Sequence, residues 1–239
     1  MRPDAVWVVI PTYNERDNIE ALVAAVLVHG YRVLVVDDGS PDGTGRVVDE
    51  IAALEPLVTA HHRQLKQGLG PAYVAGFEIA LHGGAEAIVE MDADFSHDPK
   101  DLPRFVDGLD RADVVLGSRY VPGGATPDWR LYRRLISRGG NAYARVMLGL
   151  PVRDSTGGFR AFRAEALRSL DFGTTQASGY GFQVEMAWRA VERGLVVTEI
   201  PIVFSDRKLG VSKMGTSIVF EAMALVTKWG FQRRLRWFS

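Results

Sequence analysis

Short, largely apolar runs that are rich in β-branched residues alternate with segments of helical periodicity along the first half of the chain. The runs lie at 6–10, 32–36, 58–60, 87–91 and 114–118. The helical segments lie at 14–28, 44–54 and 71–82. Apolar runs without polar alternation are typical of strands buried on both faces. Strands that alternate with helices predict an α/β fold with a parallel, doubly wound sheet, which binds ligands at the carboxyl ends of its strands.

Composition limits the class of protein further. The 239 residues are 47% hydrophobic and 24% charged, which is typical of one folded domain and excludes a disordered chain. The sequence has no cysteine, so disulfides, thiolate metal sites and cysteine nucleophiles are excluded. No apolar run approaches the ~18 residues that span a bilayer, and the first seven residues do not form a signal peptide. We therefore expect a cytoplasmic location.

Charge is distributed unequally along the chain. Residues 1–118 carry 20 acidic and 9 basic residues, a net charge of −11, whereas residues 119–239 carry 9 acidic and 19 basic residues, a net charge of +10. An acidic half suggests a bound cation, and a basic half suggests phosphates, anionic lipid or nucleic acid. We predict one domain, 1–215, with a nucleotide and metal half at 1–118 and an acceptor half at 119–215.

Polar motifs follow the first two predicted strands. After the first strand, at 11–15, Tyr13 could stack on a base and Glu15 could accept hydrogen bonds, although a helix cap at Asn14 explains the same residues. After the second strand, turn chemistry explains Ser-Pro-Asp-Gly. It does not explain the adjacent Asp37 and Asp38, which suit ribose hydroxyls or a base edge.

The fourth predicted strand ends in Met-Asp-Ala-Asp-Phe-Ser-His-Asp-Pro at 91–99. Asp92 and Asp94 leave the sheet edge together, so one carboxylate can ligate a hard cation while the other binds ribose or a second metal position. Mg²⁺ and Mn²⁺ prefer carboxylate oxygens and bridge to diphosphates. We expect His97 and Asp98 to cap the helix that begins near Pro99; metal ligation by the histidine is the alternative.

The basic half contains a predicted helix over 132–148, then a glycine-rich turn, a strand at 159–163, a helix at 182–193 and a strand at 196–200. Arg130, Arg134 and Arg138 are spaced i, i+4, i+8 and share one helical face. Arginine suits bidentate phosphate binding, and a solvated cationic face is the alternative. Glycine and polar residues at 204–213 predict a mobile loop that could close over a diphosphate.

Residues 216–239 mix large apolar side chains with lysine and arginine. That mixture predicts an amphipathic segment in a membrane interface. A helix docked on the core is the alternative, evenly balanced over 216–227, whereas the membrane is favoured over 228–239.

These motifs together resemble family 2 glycosyltransferases with the GT-A fold, and among them the polyprenol (dolichol) phosphate mannosyltransferases. The resemblance extends over residues 6–215. The segments that carry it are 11–15, 36–44, 66–70, 91–99, 117–120, 136–139, 154–160 and 212–213. It implies a Rossmann-like, mostly parallel sheet flanked by helices.

The resemblance also implies a reaction. Mannose would pass from GDP-mannose to a polyprenyl phosphate, with inversion and with Mg²⁺ or Mn²⁺ as cofactor. UDP-glucose is the alternative donor, and a non-enzymatic nucleotide-binding module is the alternative from another class. Nucleic acid is disfavoured because the acidic half would repel it. The implied location is peripheral, on the inner face of the cell membrane, with or without an anchoring partner protein.

Individual roles follow from the same resemblance. The nucleotide sugar would be held by Pro11, Tyr13, Glu15, Val36, Asp38, Asp92, Ala93, Asp94, Arg207 and Lys213. The cation would be held by Asp94, Ser96 and Asp92; many relatives have glutamine in place of Ser96, and serine is a shorter, poorer ligand. The acceptor phosphate would be contacted by Arg119, Arg133 and Ser137, and the catalytic residues would be Asp94, Arg119 and Arg133. A phosphate monoester is already ionised near neutral pH, so no general base from the protein is expected.

Overall fold

The computed structural model describes residues 1–177, 179–206 and 216–236, without the side chains at 180, 216–221 and 235–236. The strands in these ranges are β1 (Val6–Thr12), β2 (Arg32–Asp37), β3 (Val58–His62), β4 (Ala87–Glu90), β5 (Val114–Ser118), β6 (Arg160–Arg163) and β7 (Val197–Pro201). They form one sheet in the order β3-β2-β1-β4-β6-β5-β7. Each neighbouring pair is parallel except the two that include β6. The predicted α/β fold with a mostly parallel sheet is confirmed.

Helices cover both faces of this sheet. They are α1 (Arg16–Leu27), α2 (Thr44–Leu54), α3 (Leu69–His82), α4 (Leu102–Gly108), α5 (Leu131–Leu148), α6 (Ala164–Ser169), α7 (Gly179–Glu192) and α8 (Thr216–Arg236). Successive β1 residues point to opposite faces: Val8 belongs to one core with Ile19 of α1 and Phe105 of α4, and Val9 belongs to the other with Phe77 of α3. Burial on both faces explains why the strands lack polar alternation.

The strand β6 positions the loop that precedes it. It runs antiparallel between β4 and β5, with Arg160 opposite both Glu90 and Leu116. Because its direction is reversed, β6 begins where its neighbours end. The backbone N–H of Gly117 donates to the carbonyl of Phe159 at 2.8 Å. The loop at 154–159 therefore lies at the carboxyl edge of the sheet, beside the residues that follow β4 and β5.

The helix α8 packs by one face on α5 and α7, which is the docked arrangement weighed for residues 216–227. The membrane-interface role of 216–239 stays a prediction. Trp229 is 3% exposed, and its ring stacks on that of Trp188 with centroids 5.3 Å apart. A Cβ at Gly230 would lie 2.8 Å from Cε of Met147, so the two helices are in close contact. Phe231 remains exposed on the outer side. None of the helices in the described ranges combines the length and the hydrophobicity that a membrane span requires.

We predict that Trp229→Ala destabilises the protein by about 3 kcal/mol, because it removes a buried aromatic side chain and leaves a cavity. Phe231→Ala, two residues further along α8, is the matched exposed control and should change stability by less than about 0.5 kcal/mol. Urea unfolding of both variants measures the difference. Equal, small losses would contradict the docked position of α8.

Candidate active site

The loops after β1 and β2 are fastened to each other. The Thr12 hydroxyl donates to Oδ1 of Asp37 at 2.9 Å, and the backbone N–H of Asn14 donates to Oγ of Ser40 at 2.9 Å. Asn14 has a φ of 57°, the left-handed conformation that asparagine tolerates. The two loops therefore form one edge at the carboxyl ends of neighbouring strands.

The carboxylate of Asp38 holds a third loop against this edge. Its Oδ1 accepts from the guanidinium of Arg63 at 2.6 Å, and its Oδ2 accepts from the backbone N–H groups of Gln67 and Gly68, both at 3.0 Å. The predicted role of Asp38 was contact with a nucleoside. The structure shows that its carboxylate organises the loop at 63–68 beside the predicted nucleoside residues.

The Tyr13 ring, predicted to stack on a base, faces this same loop. The ammonium of Lys66 lies 3.8 Å from the ring centroid, a cation–π distance. A ligand at this edge would meet an aromatic face and an ammonium together. Those groups suit a base and a phosphate.

Other predicted nucleoside residues lie deeper. Val36 is fully buried, and its Cγ2 lies 3.2 Å from where a Cβ on Gly76 would stand, so its side chain belongs to the core. Pro11 is its partner in register on β1. Glu15 is 9% exposed and Ala93 is 4% exposed, and Oε2 of Glu15 accepts from Asn18 at 3.1 Å. Val36 could meet a ligand only through its backbone.

The predicted metal residues lie together after β4. Asp94 is 7% exposed, and its Oδ1 accepts from the backbone N–H of Ser96 at 3.1 Å. Phe95, with a φ of 60°, makes the turn between them. The side chain of Asp92 is 34% exposed. The Ser96 hydroxyl is buried and has no hydrogen-bond partner within the described ranges.

These groups fit a hard divalent cation. Two carboxylates and an unsatisfied hydroxyl are oxygen donors of the kind that Mg²⁺ and Mn²⁺ prefer. Within the part of the chain that the structure describes, no group of three or more histidine and acidic side chains is arranged to hold a metal. A cation at this place would therefore need further oxygens, such as those of a bound diphosphate.

His97 does not cap a helix, so that prediction is wrong. Its ring is 1% exposed and stacks on Phe159 with centroids 4.8 Å apart. Its Nδ1 accepts from the backbone N–H of Asp92 at 3.1 Å. Burial lowers the pKa of His97, although the charges of Asp92 and Asp94 act to raise it. Asp98 is the cap, as predicted, and accepts from the backbone N–H of Lys100 at 3.0 Å.

Arg119 forms a buried ion pair that was not predicted, and its predicted contact with phosphates stays a prediction. Its Nε and one Nη donate to the two carboxylate oxygens of Asp154, each at 2.7 Å, and its backbone N–H donates to Oδ2 at 2.9 Å. The same Nη donates to Oγ1 of Thr156 at 2.8 Å. Burial alone would raise the pKa of Asp154, but the charge and hydrogen bonds of Arg119 lower it.

Arg133 is the more accessible of the two predicted catalytic arginines. Its side chain is 34% exposed and donates to Oδ1 of Asp206 at 2.7 Å. Its guanidinium carbon lies 4.0 Å from the ring centroid of Trp129. Ser137 lies one turn further along α5, where Oγ accepts from the Tyr120 hydroxyl at 2.6 Å. The guanidinium and the hydroxyl together make a polar surface suited to a phosphate.

The predicted arginine stripe on α5 is divided by its contacts. Arg134 donates to the carbonyls of Thr126 and Pro127 at 2.6 and 3.1 Å, so it fastens the preceding loop. Arg138 remains exposed, with its guanidinium carbon 5.4 Å from the Tyr120 ring centroid. Arg207 and Lys213 lie outside the described residues.

Sequence reasoning gave no role to several residues that build this site. Asp154 and Arg160 belong to the segment 154–160, which carries the resemblance, and two charged residues beside a glycine pair are the sequence signal that marks them. Trp129 and Phe204 place aromatic rings 5.2 and 5.6 Å from the guanidinium carbon of Arg119. Asp206, an acid within a basic segment, is a recognisable partner for Arg133.

Comparison with solved structures places the fold among glycosyltransferases. Glucosyl-3-phosphoglycerate synthase from Mycobacterium tuberculosis in complex with UDP matches with a TM-score of 0.67 and 22% identity, over 94% of this chain and 79% of that chain. The complex of that enzyme with Mn²⁺, UDP and phosphoglyceric acid matches with the same TM-score and identity, over 94% and 78%. These matches confirm the GT-A type of fold.

Sequence comparison gives the family. The model of glycosyl transferase family 2 matches residues 7–171, and the chain belongs to this family. It is 48% identical to the polyprenol monophosphomannose synthase of Mycolicibacterium smegmatis, over 95% of this chain and 88% of the relative. It is 47% identical to the undecaprenyl-phosphate mannosyltransferase of Micrococcus luteus, over 96% and 95%.

Behind the site, Glu90 makes the stability of the protein depend on pH. Burial raises the pKa of this fully buried carboxyl to about 7, although the charge of Arg160 lowers it. The folded protein therefore binds this proton more tightly than the unfolded chain does. Stability from this group is fully present below the pKa of the unfolded chain and is lost as pH rises towards 7.

We predict that the Glu90→Gln variant, which cannot ionise at this position, gains stability relative to the wild type as pH rises. Relative to the wild type, its free energy of unfolding should increase by about 2 kcal/mol between about pH 5 and about pH 8. Glu165→Gln, at an exposed position on α6, is the control and should show no such trend. Denaturant unfolding at both pH values measures the effect, and parallel curves for the wild type and Glu90→Gln would contradict it.

Proposed function

We propose that the protein transfers mannose from GDP-mannose to a polyprenyl phosphate, with a divalent cation and with inversion at the anomeric carbon. The observation that carries the proposal is the near-50% identity, along almost the whole chain, to a polyprenol monophosphomannose synthase and to an undecaprenyl-phosphate mannosyltransferase. The geometry supports it, because an oxygen-donor site after β4 and a cationic site on α5 share one edge of the sheet.

On the donor side, Asp92, Asp94 and Ser96 would hold Mg²⁺ or Mn²⁺. When bound, the cation supplies charge stabilisation to the departing nucleoside diphosphate. Tyr13 and Lys66 offer an aromatic face and a positive charge to the nucleotide. Hydrogen bonds between the loops after β1 and β2, and from Asp38 to the loop at 63–68, keep Tyr13 and Lys66 in place, so little reorganisation is needed as charge develops.

On the acceptor side, the nucleophile is the phosphate of the polyprenyl phosphate. Its negative charge must be neutralised, whereas it needs no deprotonation by the protein. The second pKa of a phosphate monoester is about 6, so near neutral pH it is mostly a dianion. It must nevertheless approach a diphosphate of the same sign. Arg133 and Ser137 offer a charge and a hydroxyl for that purpose, and Arg119 fixes the loop behind them. His97 is buried and bonded to the backbone of Asp92, an unsuitable position for a general base.

The outer face of α5 supports a peripheral location on the inner face of the cell membrane. Four large apolar side chains at its start are 61–71% exposed: Leu131, Tyr132, Leu135 and Ile136. Arg130 and Arg138, also exposed, flank them. A contiguous exposed apolar patch marks an interaction surface, and arginines beside it favour anionic lipid. This patch adjoins Ser137 and Arg133, where a lipid-linked phosphate would arrive.

The reaction is tested with a panel of donors. Purified protein is incubated with GDP-mannose or UDP-glucose, with and without polyprenyl phosphate, and the lipid product is measured. We expect mannosyl lipid from GDP-mannose only, and its loss in excess chelator. Asp94→Asn should lose about 100-fold or more because charge stabilisation by the metal is worth several kcal/mol, whereas Asp98→Asn, the helix cap, should stay near wild type. Glucosyl lipid, or full activity in chelator, would contradict the proposal.

Substitution of Arg133 should change the kinetics of transfer, whereas substitution of Arg119 should change the stability of the protein. Arg133→Ala should raise the KM for polyprenyl phosphate about tenfold or more by removing a charged hydrogen-bond donor, at a cost in stability of less than about 1 kcal/mol. Arg119→Ala should instead destabilise the protein by about 4 kcal/mol, because it leaves Asp154 buried and unpaired. Steady-state kinetics and urea unfolding measure both. A stable Arg119→Ala variant with a purely kinetic defect would contradict this structural role and would favour the predicted contact of Arg119 with phosphate.

Membrane binding should depend on the patch on α5. The double variant Leu135→Asp, Ile136→Asp should lose co-sedimentation with anionic vesicles, and wild-type binding should weaken with salt. Leu54→Asp is the control, since Leu54 is 82% exposed on α2, a helix on the opposite face of the sheet. Transfer to a short, water-soluble polyprenyl phosphate should survive in the double variant. Unchanged, salt-insensitive binding would rule this surface out.

A further inference from the structure

The imidazole of His97 contacts one residue of the site at two points. Its Nδ1 accepts from the backbone N–H of Asp92 at 3.1 Å, so the neutral ring carries its hydrogen on Nε2. Its Nε2 lies 3.8 Å from Oδ2 of Asp92, just beyond hydrogen-bonding distance. Nε2 is buried and has no hydrogen-bond partner within the described ranges. One ring therefore meets both the main chain and the carboxylate of Asp92.

The ring is held in this orientation from several sides. Phe159 stacks on it with an interplanar angle of 19°, and the ring of Phe204 meets it edge-on with centroids 5.6 Å apart. Phe159 in turn stacks on Phe105 with centroids 4.0 Å apart. A Cβ on Gly158 would lie 3.5 Å from Oδ1 of Asp92 and 3.6 Å from Cε1 of His97. The packing leaves the imidazole little room to rotate.

We infer that His97 is a positioning residue for the cation and diphosphate site, acting through Asp92. It fixes the main-chain turn after β4 through Nδ1 and presents an N–H towards the Asp92 carboxylate through Nε2. Because its ring is only 1% exposed, we expect His97 to act without touching the substrate. The inference rests on the proposed function in one respect, namely that Asp92 helps to bind a metal–nucleotide complex.

If His97 had a purely structural role, any side chain that fills the same space could replace it. Two variants distinguish this role from the positioning of Asp92. His97→Phe keeps an aromatic ring between Phe159 and Phe204 but removes both nitrogens. His97→Asn loses the ring but offers Oδ1 as an acceptor close to the position of Nδ1. If His97 only fills space, phenylalanine is the better replacement. If it positions Asp92, asparagine is.

The test measures binding of Mn²⁺ to the full-length protein in the presence of GDP, by the electron paramagnetic resonance signal of free Mn²⁺. We expect His97→Phe to weaken Mn²⁺ binding about tenfold, as losses of groups behind a metal ligand do. We expect His97→Asn to recover most of that loss, and the KM for polyprenyl phosphate to change by less than about twofold in both variants. Val26→Ala, in the core of α1, controls for general destabilisation.

Several results would overturn the inference. One is a wild-type affinity for Mn²⁺ in His97→Phe. Another is weaker Mn²⁺ binding in His97→Asn than in His97→Phe. A third is a loss of Mn²⁺ affinity in Val26→Ala as large as that in His97→Phe. The same titration with UDP separates this inference from the proposed donor. Binding of Mn²⁺ in the presence of UDP but not of GDP would contradict GDP-mannose as donor. The His97 variants would then be compared in the presence of UDP. Binding with neither nucleotide would overturn the inference itself.

Discussion

The buried ion pair between Arg119 and Asp154 is the interaction on which the arrangement of the site depends. Burying two charges is costly unless the pair is well hydrogen-bonded, and here both carboxylate oxygens of Asp154 accept from Arg119. Thr156 accepts from Arg119, and Oε1 of Glu199 accepts from the backbone N–H of Asp154 at 2.9 Å. The pair thereby joins the end of β5, the loop before β6 and the strand β7 at the sheet edge where the ligand residues lie.

Neighbouring contacts extend this framework to both halves of the chain. Arg160, fully buried at the start of β6, donates to the carbonyls of Ser155, Gly157 and Gln183 at 2.6–2.8 Å. Asn141 of α5 accepts from the backbone N–H of Ser155 at 2.8 Å. The loop at 154–158 is thus tied to α5 on one side and reaches the Asp92 carboxylate through Gly158 on the other. The acidic half of the sequence thus contributes the carboxylates after β4, and the basic half contributes the cationic residues of α5, at the same edge of the sheet.

The parts of the structure that could be predicted from the sequence are those that local patterns determine. Buried parallel strands give largely apolar runs, and acids directly after them mark the ligand edge. The direction of β6 could not be predicted, because a four-residue run looks the same in either direction. The burial of His97 and the pairing of Arg119 depend on contacts with residues 62 and 35 positions away, Phe159 and Asp154. The docking of α8 depends on Trp188, which a local reading of its basic and aromatic residues omits.

The central claim is that this site neutralises an acceptor that is already ionised, and the pH–rate profile tests it most directly. The measurement compares a polyprenyl phosphate with a phosphonate analogue whose second pKa is higher, at saturating donor. With the phosphate, the rate should rise with a pKa of about 6. With the phosphonate, the rising limb should move upwards by the difference between the two acceptor pKa values. A limb that stays at the same pH for both acceptors would assign the ionisation to a group of the enzyme, and would contradict the account.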